Sequence, residues 1–278
     1  MTRPRRGDEM LPLVYLRGML ARRPGVRAVP ACALPVALVL VVGTLGGMAA
    51  CSSRPAPSTP VAGTPAPHRT ATRPLHLLFV GASITSGWYA SAGHDYRSLV
   101  ERDLARRGYS LQVQTRARPG ARVASLTRFQ APTGMELIVL QLATNDSGSR
   151  RPTDPSVFAT EYSGLVQRLR AASPDATLVC LDAWANASTV NRLGVPVAVY
   201  DQAVEAACTG AGGHFVDLSA AYQVAAYHGP AGDPTPHGSS DWFHPNDGGH
   251  ARLASLVLAA ASPLPEAPQG GTPSAAGL

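Results

Sequence analysis

The chain predicts an α/β domain built on a five-stranded parallel sheet, and two observations carry the prediction. Between residues 75 and 261, short apolar, β-branched runs alternate with stretches of helical periodicity, the pattern of parallel strands joined by right-handed helical crossovers. The segments on either side lack that alternation, so the 278 residues hold one globular domain.

Strands are expected at Leu75–Val80, Leu111–Thr115, Leu137–Leu142, Thr177–Asp182 and His214–Leu218. Between the first two, Tyr96, Leu99, Val100 and Leu104 recur at helical spacing and mark one buried face. Asp154-Pro155 supplies the N-cap and first residue of a helix running to Ala171, which buries Phe158, Tyr162, Leu165 and Leu169. A further helix covers Val197–Cys208. The last begins at Asn246-Asp247 and buries Leu253, Leu256 and Val257.

The basic balance belongs to the leader. All 24 basic residues are Arg, and seven of them fall in residues 1–50 against only Asp8 and Glu9. Beyond residue 50, 17 Arg face 16 acids, so the domain lacks the net positive charge that a nucleic-acid partner would require. Residues 31–50 form an uncharged apolar run behind Arg22, Arg23 and Arg27, the charge order of an export signal. Met48-Ala49-Ala50-Cys51 resembles the lipobox of bacterial lipoproteins, which implies lipidation of Cys51. An uncleaved apolar anchor and an ordinary cleaved signal are the other two readings, because about 20 apolar residues can also span a bilayer. Each places the rest of the chain outside the cytoplasm. Residues 51–74 are rich in Pro, Ala, Ser and Thr and read as an extended tether; residues 262–278 have the same character and read as a disordered tail. Within the domain this leaves Cys180 and Cys208, which can form a disulfide in an oxidising compartment or remain as two buried thiols.

In an open parallel sheet the ligand site forms beyond the carboxyl ends of the strands. Gly81-Ala82-Ser83-Ile84-Thr85 follows the first expected strand, Arg118-Pro119-Gly120-Ala121 the second and Ala143-Thr144-Asn145-Asp146 the third, while Asp241-Trp242-Phe243-His244 precedes the last helix. A serine hydroxyl becomes a nucleophile when an imidazole accepts its proton, and His244 is the candidate base. Asp241, three residues earlier on a helix-like turn, can fix the imidazole tautomer. The backbone N–H groups of Ser83 and Gly120 and the side-chain amide of Asn145 are candidate oxyanion donors. Glycine at 120 is expected because a side chain there would obstruct approach to the substrate. Asp146 reads as a structural residue that bonds loop backbone.

These four blocks resemble those of the SGNH, or GDSL-like, hydrolase superfamily. The resemblance spans most of residues 75–261. It implies a flavodoxin-like three-layer α/β/α sandwich and metal-free ester hydrolysis, with Ser83, Asp241 and His244 as the triad and Ser83, Gly120 and Asn145 as the oxyanion hole. Two positions depart from the pattern: Ala82 stands in place of the family's aspartate, and Ala143 in place of a common glycine.

Trp88, Tyr89, Trp184 and Trp242 lie beside these loops and can line an acyl or sugar pocket, core packing being the alternative. His237, Asp241, His244, Asp247 and His250 crowd one segment, but their spacing matches no common zinc pattern, so neither metal nor cofactor is expected. The expected activity is an exported serine esterase acting on a small acyl ester, such as an acetyl group on a cell-envelope or extracellular glycan. An acyltransferase using the same acyl-serine and a non-catalytic glycan-binding module are the alternatives. The expected partners are an acylated small molecule or glycan and, through the N-terminus, a membrane.

Overall fold

The computed structural model describes residues 74–148, 150–262 and 264. The leader, Cys51, nearly all of the tether and most of the tail lie outside these residues. Five parallel strands form the sheet: β1 (Leu75–Gly81), β2 (Leu111–Ala117), β3 (Leu137–Gln141), β4 (Thr177–Leu181) and β5 (His214–Val216), arranged in the order β2-β1-β3-β4-β5. Their ends differ from the sequence expectation by one or two residues. The chain moves outward from β1 to β2 and then crosses back to β3, so the order reverses between β1 and β3. The loops leaving those two strands diverge there and open a crevice.

Both faces of the sheet are covered, which is why its central strands are apolar throughout and do not alternate. Leu78, Val80, Ile138, Leu140, Leu178 and Cys180 pack against α2 (Pro155–Ala172) and α3 (Val197–Gly210). Leu77, Phe79, Leu137, Val139, Val179 and Leu181 meet α1 (Tyr96–Arg106) and α5 (Asp247–Ala260). The result is the expected three-layer sandwich. Caps fix the helix starts: the Asp154 carboxylate accepts from the backbone N–H groups of Ser156 and Val157, and at α5 the amide oxygen of Asn246 accepts from Gly249 N at 3.0 Å. Cys180 on β4 and Cys208 on α3 are joined by a disulfide that pins this helix to the sheet.

Three features were not foreseen. A four-residue helix, α4 (Ser219–Tyr222), follows β5, and a small antiparallel hairpin, β6 (Pro234–Thr235) with β7 (Gly238–Ser239), precedes Asp241. Leu264, placed by sequence in the tail, packs in part against the α1/α5 side of the core. Among the described residues, no helix is long and apolar enough to cross a membrane.

Candidate active site

The turn carrying Ser83 is shaped by what cannot be at Gly81. A Cβ there would stand 2.0 Å from Thr85 Oγ1 and 2.7 Å from the Gln141 carbonyl, so only glycine lets the chain fold back this tightly at the end of β1. Hydrogen bonds from Ser86 N to Ala82 O at 2.9 Å and from Trp88 N to Ser83 O at 3.0 Å then close a helical turn. Ser83 sits at its head, 8% exposed.

The opposing element is the Asp241–His244 segment. Oδ1 of Asp241 accepts from the backbone N–H groups of Phe243, at 2.8 Å, and His244, at 2.7 Å, which coils the segment and turns the imidazole inward. Asp241 Oδ2 lies 3.0 Å from His244 Nδ1, and His244 Nε2 lies 2.9 Å from Ser83 Oγ. In the arrangement these contacts define, Nδ1–H donates to the carboxylate and Nε2 accepts from the serine hydroxyl. Burial raises the pKa of Asp241, but the N–H groups and imidazole of His244 outweigh it and hold the carboxyl below the usual carboxylate range. Burial also holds His244 below the usual histidine range, against the upward pull of Asp241. A neutral imidazole beside an ionised carboxylate is the state a general base needs.

The segment is fastened from outside as well. The carbonyl of Phe243 accepts from Trp184 Nε1 at 2.8 Å and lies 3.2 Å from His228 Nδ1. Sequence reasoning missed His228 and Phe243, because nothing in their spacing shows that they converge on His244. It also missed Thr144, whose hydroxyl accepts from Trp184 N at 2.9 Å and Gln141 Nε2 at 3.1 Å and so anchors the loop after β3.

On the other side of Ser83, the Asn145 amide donates to Ala121 O at 3.0 Å, joining the loops after β2 and β3. Buried Asp146 accepts from Val123 N at 3.2 Å and Thr153 Oγ1 at 2.8 Å, holding the 3-10 turn Val123–Leu126 that follows Gly120. Burial pushes its carboxyl up. Gly120 has φ +73°, and a Cβ there would meet nothing within 4 Å. Its positive φ favours glycine here, and the neighbouring protein atoms leave the space a Cβ would take open. Ala143, at the family's glycine position, has φ 79°.

The four aromatic candidates separate. Trp88 and Tyr89 border His244, with ring centroids at 5.7 Å and 4.6 Å. Trp184 does not line the site. It is fully buried, edge-on to Tyr222, because its indole N–H is drawn to the Phe243 carbonyl. Trp242 is 67% exposed and covers Gly229, where a Cβ would lie 2.3 Å from the indole ring. His250 is buried, its Nε2 donating to Trp88 O at 3.1 Å and its Nδ1 accepting from Tyr96 N at 3.3 Å. Among the described residues, no group of three His, Cys, Asp or Glu side chains is placed to hold a metal ion.

Residues 79–252 match the GDSL-like lipase/acylhydrolase family. No curated protein sequence matches the chain. Among solved structures, TesA is similar, with 20% identity and a TM-score of 0.50 over 68% of this chain and 99% of that one. So is a variant of Axe2, an acetyl-xylooligosaccharide esterase from Geobacillus Stearmophilus, with 18% identity and a TM-score of 0.53 over 68% of this chain and 94% of that one. At these identities the likeness shows the fold.

Proposed function

Because the chain belongs to the GDSL-like lipase/acylhydrolase family and is a serine ester hydrolase of the SGNH type, we propose that Ser83 is its nucleophile, His244 its general base and acid, and Asp241 the group that orients the imidazole. The observation that carries this reading is the unbroken relay from Asp241 Oδ2 through His244 to Ser83 Oγ, at 3.0 and 2.9 Å. As Oγ attacks the ester carbonyl carbon, its proton passes to Nε2, and the imidazolium formed is stabilised by Asp241. Collapse of the tetrahedral intermediate breaks the C–O bond to the alcohol, which leaves with the proton from Nε2. Water then attacks the acyl-serine by the same relay and releases the acid.

The negative oxygen of each tetrahedral intermediate needs fixed donors. The N–H groups of Ser83 and Gly120 and the Asn145 amide fill that role; loss of one such donor typically costs about 100- to 1,000-fold in kcat. Asn145 gives one N–H to Ala121 O, which holds its amide beside the Gly120 loop.

The substrate in this reading is a small acyl ester, of the acetyl type, on a cell-envelope or extracellular glycan. The enzyme is exported and held at the membrane surface through Cys51 or the apolar run before it. The basic leader and the Cys180–Cys208 disulfide support export, since disulfides persist in oxidising compartments. The Axe2 likeness, as an acetyl-xylooligosaccharide esterase, favours a sugar ester. The test is release of p-nitrophenol from acetyl to decanoyl esters by the wild type and by Ser83→Ala. Turnover that falls with chain length and vanishes in the variant is expected; residual turnover in folded Ser83→Ala would place the nucleophile elsewhere.

A further inference from the structure

The wall of the site beside β2 carries positive charge that acidic side chains leave unbalanced. From residue 108 through 153 the chain has six arginines, Arg116, Arg118, Arg122, Arg128, Arg150 and Arg151, and two acids, Glu136 and Asp146. Glu136 is at the opposite, amino end of the strands, where its Oε2 accepts from His76 N at the start of β1 at 2.7 Å. Asp146 is buried, with its oxygens engaged by Val123 N and Thr153 Oγ1. Arg122 is held by Thr153 Oγ1 and the Arg151 carbonyl.

Arg116 and Arg118 are differently placed. With Gly81, Ala121, Ser125 and Leu126 they line a cavity of about 340 Å³. The Arg116 guanidinium lies over the Phe129 ring, 5.8 Å from its centre, and among the described residues no carboxylate pairs with either arginine. The cavity is built from the same loops as the site: Gly81 is two residues before Ser83, and the Ala121 carbonyl receives the Asn145 amide.

We propose that this cavity binds an anionic group, a carboxylate or a phosphate, carried by the ester substrate, so that the enzyme selects acidic acylated sugars over neutral ones. Planar guanidinium groups present paired N–H donors that match both anions. Both arginines are solvent-exposed, so the attraction is screened by salt. The proposal rests on the sugar-ester reading above and names the chemistry its alcohol must carry.

The test compares kcat/KM for O-acetyl galactose, O-acetyl galacturonate and O-acetyl galactose 6-phosphate in the wild type, Arg116→Gln and Arg118→Gln. The expected result is at least a tenfold preference for one or both acidic esters, expressed in KM, falling towards one in each variant and in 0.5 M NaCl. Preference for the uronate alone assigns a carboxylate, and for the phosphate alone a phosphate. A ratio near one in the wild type, or a preference unaltered in both variants, overturns the proposal. Should Arg116→Gln fail to fold, Arg118→Gln decides alone. If the wild type turns over none of these esters nor p-nitrophenyl acetate, the esterase reading has failed, and the cavity is judged separately by calorimetry with galacturonate and galactose 6-phosphate. Saturable binding lost in Arg118→Gln supports it, and absence of binding overturns it.

Discussion

The phenol ring of Tyr89 lies against the imidazole of His244, with centroids 4.6 Å apart, and Tyr89 reaches that place with φ 64°. A left-handed backbone costs a non-glycine residue about 1–2 kcal/mol, so the turn after Ser83 accepts strain to set this ring on the general base. Trp88 and Phe243 border the same imidazole, and the His244 side chain is 13% exposed. Because burial lowers the His244 pKa, activity should persist somewhat below pH 6.5 and then fall as His244 is protonated and loses its capacity to accept the serine proton. Tyr89→Ala should move this acid limb of kcat/KM upward, towards the ordinary histidine range, and lower kcat about tenfold. Tyr89→Phe should preserve both. A pH profile identical in Tyr89→Ala would show that the ring does not govern the base.

A second pH effect concerns stability. Buried His250 is held neutral between Trp88 O and Tyr96 N, and burial drives its pKa down to about 4. The unfolded chain takes up this proton near pH 6.5, so stability is full above that pH and declines as pH falls from 6.5 towards 4, by about 3 kcal/mol in all. Asp182 has the opposite slope. Burial, with Asp201 and Asp217 nearby, raises it to about 9, so its contribution is full below about pH 4 and lost as pH rises towards 9. Between pH 4 and 6.5 the two slopes oppose and nearly cancel, so thermal stability should stay nearly level there with respect to these two groups and decline from pH 6.5 to 9. Asp182→Asn, which keeps an oxygen acceptor for Leu218 N, should remove the alkaline decline and uncover the His250 slope, so that stability rises from pH 4 to 6.5 and then stays level. Parallel curves for the variant and wild type would refute the assignment.

Ala143 offers a test of strain against packing. Replacing it with glycine would relieve about 1–2 kcal/mol of left-handed strain, but would also forgo about 0.8 kcal/mol of methyl burial and about 0.4–1 kcal/mol through the freer unfolded chain. These nearly cancel. Ala143→Gly should stay within about 1 kcal/mol of wild type in urea unfolding, whereas Ala143→Val, branched at a positive φ, should lose several times more. A large loss in the glycine variant would mean that the methyl group matters more than the backbone.

Much of the site was legible because its chemistry sits on loops that strand order brings together. Ser83, Asn145 and the Asp241–His244 pair each follow or precede an element whose period is plain in the sequence, and a parallel sheet leaves those loops one edge to occupy. The helix starts at Asp154 and Asn246 were legible through their caps. What stayed hidden depends on the direction of a side chain. Trp184 follows β4, at the same edge of the sheet as the motif loops, yet its side chain turns into the core and points its indole N–H at the Phe243 carbonyl. Tyr89 and Ala143 take positive φ without being glycine, so residue type did not mark those turns. The β6–β7 hairpin is too short to carry a period of two.

The disulfide should be worth more than any single contact discussed so far. Cys180 and Cys208 are 28 residues apart, and closing a loop of that length lowers the entropy of the unfolded chain enough to add about 3–4 kcal/mol. The double substitution Cys180→Ala with Cys208→Ser should lower the urea midpoint accordingly while leaving ester hydrolysis measurable below the transition. An unchanged midpoint would remove the bridge from the account of stability.

The central claim is that Ser83 is made nucleophilic by His244, and covalent labelling tests it most directly. The protein is treated with a fluorophosphonate, which traps activated serines, and the adduct is located by peptide mass spectrometry. One phosphonylated serine is expected, Ser83, with labelling slowed at least about 100-fold in His244→Ala, in keeping with the loss of a general base. Modification of a different serine, or undiminished labelling of Ser83 without His244, would contradict the account.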